Sequence, residues 1–186
     1  MKKLKLICII ILNGSILFFS CKKNSDDVTQ PVQHTEKELI TTVQLSFKDQ
    51  NTNQFYSKAI FRDVDGPGGK EPTQFDKIKL KSMNTYKCSI LLLDESKTPV
   101  DTVSNEIIEK ANDHLFWFYP TNADIYFIYV DEDQNKLPLG LSTLWKTEKP
   151  SEGTVRVILK HQPGVKDGTV VPGDTDIDIL FNVEIN

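Results

Sequence analysis

Between Glu38 and Ile185 segment after segment places its apolar residues at every second position, and this alternation constrains the fold more than any other feature of the chain. In "TTVQLSF" Val43, Leu45 and Phe47 alternate with polar neighbours. In "DKIKLKS" Ile78 and Leu80 point one way and three lysines the other; in "TVRVILK" Val155, Val157 and Leu159 share a face. The longest case is "DIDILFNVEI": Ile177, Ile179, Phe181, Val183 and Ile185 fall on one face, with Asp176, Asp178 and Glu184 opposite. Side chains of a strand alternate between faces, so this pattern predicts half-buried antiparallel strands. "FYSKAIF", "YKCSILLLD", "HLFWFY" and "DIYFIYVD" add four strands rich in aromatic and β-branched residues. Turn-forming stretches such as "DGPGG", "SMN", "YPTN", "DEDQN" and "KPSEG" separate them.

One segment departs from period two. In "VSNEIIEKAND" Val103, Ile107, Ile108 and Ala111 are spaced as on a helix, Ser104 is placed to cap it, and Glu106 suits its positive end. Many strands and one short helix predict an all-β fold: an antiparallel two-sheet β-sandwich, Ig-like or Greek key, over residues 38–186.

The first 20 residues follow a different logic. Lys2, Lys3 and Lys5 precede an apolar run from Leu6 to Phe19 that Asn13, Gly14 and Ser15 interrupt. A spanning helix needs roughly 20 apolar residues to cross about 30 Å of hydrocarbon. The run is too short and too broken for that, and a cleaved signal peptide over residues 1–20 fits better. It ends in "FFSC", which resembles a lipoprotein lipobox, with small Ser20 before Cys21 and Phe18 departing from the usual small aliphatic residue. Cys21 is therefore the expected lipidation site. Each buried methylene of an acyl chain contributes about 0.8 kcal/mol, so two or three chains anchor firmly. Residues 21–37 are polar and without period, which predicts a flexible lipidated tether. Its "NSDD" resembles the acidic signals that export some Bacteroidota lipoproteins to the cell surface.

Loss of residues 1–20 would leave 19 Lys and Arg against 26 Asp and Glu, a net charge of −7. That argues against nucleic-acid binding, which needs a basic face. Of the three cysteines only Cys88 would remain as a free thiol, so the domain must rest on core burial without a disulfide. A lone Cys on an apolar strand is usually a small buried hydrophobe.

Two loops carry the candidate chemistry. "FRDVDGPGG" places Asp63 and Asp65 two apart before Gly66, Gly68 and Gly69, the carboxylate spacing of calcium loops. Pro67 intrudes and the next acid is Glu71, so a solvated hairpin turn is the simpler reading. "KHQPGVKDG" leaves a strand at His161 for a long Pro/Gly loop reaching Asp174, and His114 opens the aromatic strand. Asp63, Asp65, His114 and His161 make a candidate metal set, for zinc where imidazole takes part and calcium where oxygen alone does. Sandwich loops cluster at two ends, so folding is expected to gather these segments at one end. No local His spacing makes the site by itself, and taken singly each His is more often structural than a ligand. Asp131 and Asp133 read as turn residues. No nucleophile elbow, P-loop, zincin or dinucleotide fingerprint is present, so no enzyme is expected.

"EKELITTVQLSF", "FRDVDGPGG", "LLLDES", "DHLFWF" and "LKHQPGVKDGTVVPGDTDIDILFNVEI" resemble a family of small Bacteroidota envelope lipoproteins, over Glu36 to Asn186. Some members lie near genes for TonB-dependent receptors, and some carry the label of the type 1 periplasmic binding fold. That label describes two α/β lobes, whereas the alternation here implies a sandwich. The lipobox, the missing catalytic motifs and the resemblance together imply a lipid-anchored, non-catalytic outer-membrane protein, facing periplasm or cell surface. It would bind a ligand or partner as accessory to a receptor of that kind. The alternative is a metal-binding or metal-uptake lipoprotein.

Overall fold

The computed structural model describes residues 39–66 and 68–186. The expected signal peptide and tether, with Cys21, lie outside the described residues, as does Pro67. Ten strands are present among them. They are β1 (Thr42–Asp49), β2 (Phe55–Arg62), β3 (Gln74–Phe75), β4 (Ile78–Leu80) and β5 (Asn84–Leu93), then β6 (His114–Thr121), β7 (Ile125–Tyr129), β8 (Ser142–Thr147), β9 (Ser151–His161) and β10 (Asp174–Ile185). Helix α1 (Val103–Glu109) and a 3-10 turn at Ala111–Asp113 lie between β5 and β6. One sheet has the order β3-β2-β1-β5-β8-β7 and the other β4-β10-β9-β6. The fold is the all-β sandwich that the alternation predicts.

The core is built from the predicted faces. Val43, Leu45 and Phe47 of β1 meet Val155, Val157 and Leu159 of β9 and Ile177, Ile179, Phe181, Val183 and Ile185 of β10 in one buried cluster. Trp145 sits at its centre, fully buried, with the rings of Phe47, Phe118 and Phe127 at 5.0, 5.7 and 4.7 Å in edge-to-face contact. Such pairs add about 0.5–1.5 kcal/mol beyond the area they bury. The indole nitrogen of Trp145 donates to the Thr143 hydroxyl at 2.9 Å, so its one polar atom is satisfied.

Three features differ from the pattern reading. First, β8 is a strand whose inward residues are Thr143, Trp145 and Thr147, all buried. Two inward threonines disguise the alternation. The Thr147 hydroxyl finds its acceptors in the Lys81 and Asn84 carbonyls. Second, the sandwich is not wholly antiparallel, because β4 pairs parallel to β10. β3 and β4 are separated by two residues, so the chain crosses from one sheet edge to the other without reversing. Third, Thr102 rather than Ser104 stands at the N-cap of α1, with no side-chain cap bond. Ser104 lies inside the helix, and its buried hydroxyl accepts from the Leu92 amide at 2.6 Å, tying α1 to β5. Val103 and Ile107 are buried beneath the helix, while Ile108 is exposed.

Candidate functional site

The strand register gathers the loops expected to carry chemistry at one end of the sandwich. Thr42 pairs with both Arg62 and Leu93, so the 61–69 loop leaves β2 where β5 ends. His114 pairs with His161, and His161 with Asp174, so β6 starts where β9 ends and β10 begins. The segment before β8 ties the two sheets at that end: the Ile90 amide donates to Leu141 and the Phe116 amide to Leu139.

Within this end, His114 and His161 lie side by side. Their rings stack at 4.8 Å with an interplanar angle of 8°. His114 is buried, 3% exposed, and its Nδ1 is 3.0 Å from the Lys110 carbonyl. A carbonyl only accepts, so Nδ1 carries the proton and Nε2 keeps its lone pair. Burial, helped by the neighbouring His161, pushes the His114 pKa below the ordinary histidine value despite the Lys110 contact. The ring is therefore neutral near pH 7.

The third member is Asp176. By simple alternation it belongs with Asp178 on the solvent face. The register of β10 against β9 shifts between Thr175 and Ile177, which leaves Asp176 as the extra residue of a β-bulge. A bulge re-aims a side chain, and here Asp176 is half-buried beside the histidines. One ligand atom from each of His114, His161 and Asp176 lies within 4.8 Å of the others. Folding thus unites the two predicted histidines and adds an aspartate assigned to the opposite face.

Asp63 and Asp65 stand outside that group. Asp65 accepts from the Lys70 amide at 2.9 Å, and a Cβ on Gly69 would collide with its carboxylate, which is the geometry of a tight turn. Asp63 is buried and its Oδ1 has no hydrogen-bond partner.

The 162–173 loop is pinned from beneath. Gln162 is fully buried; its amide nitrogen Nε2 donates to the Thr169 and Pro172 carbonyls at 2.8 and 2.9 Å, and its backbone amide to Asp113 at 2.6 Å. The Lys160 ammonium donates to the Gly173 carbonyl at 2.8 Å and the Thr175 hydroxyl at 3.1 Å. Lys166 reaches down to Asp133 at 2.8 Å and donates to the Ala111 carbonyl at 2.9 Å.

A cleft of about 280 Å³ is lined by Tyr129, Val130, Asp131, Glu132, Lys136 and Pro138. Its half-buried acid is already engaged: Asp131 accepts from the Gly140 and Ser142 amides, one on each oxygen, both at 2.8 Å. Asp133 Oδ1 accepts from Asn135 and Leu137 amides. Both are turn residues. Comparison with family models, curated proteins and solved structures gives no match.

Proposed function

We propose that the protein is a lipid-anchored, non-catalytic component of the outer membrane, held by Cys21, that docks a partner against the loop end of its sandwich. The partner is a TonB-dependent receptor of the same membrane, the class to which the family resemblance points. What supports this reading is the 162–173 loop. It is fixed from below by Gln162, Lys166 and Lys160, yet it presents Val165 and Val171 to solvent at 54% and 83% exposure. A loop ordered before binding loses little entropy on binding, and exposed apolar tips on such a loop are contact residues in waiting.

Two measurements test it. Cys21→Ala should move the protein from the membrane fraction to the soluble one and abolish palmitate labelling. A photo-crosslinker at Val165 or Val171 should capture a β-barrel receptor in cells, and one at Met83, exposed among the turns of the opposite end, should not. Equal capture from both positions, or none from the loop, overturns the docking proposal.

A further inference from the structure

We propose that His114, His161 and Asp176 form a binding site for one first-row divalent cation of the zinc class. The inference stands on the geometry of these three side chains and depends on neither the anchor nor the receptor partner.

Three arguments carry it. The first is donor chemistry. Two imidazoles and a carboxylate are a common three-ligand set for zinc, leaving a fourth position for water or a donor from a partner. Calcium and magnesium prefer oxygen alone, so two imidazoles select against them. The second is preparation. The Lys110 carbonyl holds Nδ1–H of His114 at 3.0 Å, which orients the ring and leaves Nε2 as the ligand atom. Metal-bound histidines almost always have such a partner on the other nitrogen. The third is the β-bulge, which brings Asp176 to the histidines and supplies one negative charge against the cation.

The geometry also states what must move. Zinc binds nitrogen at about 2.0–2.1 Å and carboxylate oxygen at about 2.0–2.2 Å. Donors around it then lie closer together than the 4.8 Å that bounds the group. A ring nitrogen binds along a direction in its own ring plane, and planes only 8° from parallel do not converge on one ion. One ring must turn. His114 is buried and held by Lys110, whereas His161 is half-buried, so His161 is the ring that rotates and the stacking opens.

The test uses the full chain in detergent, stripped with a chelator, with zinc alone and calcium alone as probes. Zinc should bind one to one in titration calorimetry and raise the melting temperature by several degrees; calcium should do neither. Cobalt in place of zinc should give the visible absorption of a four-coordinate site. His161→Ala and Asp176→Asn should each weaken zinc at least tenfold. Asp174→Asn, exposed and two residues away, and His34→Ala, the remaining histidine, should leave it unchanged. Because buried His114 is also a core residue, the test rests on His161 and Asp176, whose variants are checked for folding by circular dichroism. No zinc shift in the folded chain overturns the site. So does a shift that survives the His161→Ala, Asp176→Asn double variant, or an equal shift with calcium.

Discussion

The ammonium of Lys166 lies 2.8 Å from the carboxylate of Asp133, with the two side chains 2% and 0% exposed. One comes from the long 162–173 loop and the other from the turn between β7 and β8. Two charges taken out of water repay their desolvation only when both are present and otherwise hydrogen-bonded. Here Asp133 also takes the Asn135 and Leu137 amides, and Lys166 also reaches Ala111. Asp133→Ala should therefore destabilise the domain by about 3–5 kcal/mol, because it strands a buried ammonium. The Asp133→Leu, Lys166→Met pair should cost much less than either half alone. Urea unfolding of the three variants measures this, and additive losses would contradict a coupled pair.

The same contact makes a pH prediction. Burial pushes the Asp133 carboxyl up, but Lys166 and the Leu137 and Asn135 amides together outweigh it and hold it below the ordinary value of 3.8. The folded carboxyl is thus more acidic than the unfolded one. Its contribution is fully present above the unfolded value and is lost as pH falls below 3.8 through the folded value. Acid unfolding followed by circular dichroism should be less steep below about pH 4 in Asp133→Asn than in the parent chain.

Gly173 has φ +76°, and a Cβ there would collide with the His161 carbonyl. An L residue is strained in that region and cannot fit against the strand end. Gly173→Ala should cost about 1–3 kcal/mol and displace His161. Zinc affinity should fall with it, although no ligand is changed. Calorimetry on this variant separates backbone positioning from ligand loss.

Cys88 is fully buried on β5, and burial pushes its thiol far above the usual range. The thiolate is the reactive form, so this thiol should resist labelling in the folded domain. Mass-mapped labelling at Cys88 should appear only through opening, and its rate should rise in the Asp133→Ala variant. Fast labelling in the native state would contradict the packing around it.

Strand existence and core faces were legible in the residue order because a strand repeats every two residues and one face must be dry. That rule alone places Val43, Leu45 and Phe47, and the five odd-numbered apolar residues of β10, in the core where they are found. It also exposed α1 as a break in period, and the loops as Pro/Gly interruptions. It missed β8, since Thr143 and Thr147 face inward and look polar on paper. It placed Asp176 on the wrong face for a related reason. A bulge adds one residue to a strand relative to its neighbour, so it exists only in the pairing of β10 with β9 and has no signature in β10 alone. His114 and His161 are 47 residues apart and meet only because β6 and β9 pair in one register. Local order fixes the alternation of faces along an unbroken strand; only pairing between distant strands decides where a bulge resets it and which side chains share one end of the sandwich, and that is where the candidate site lies.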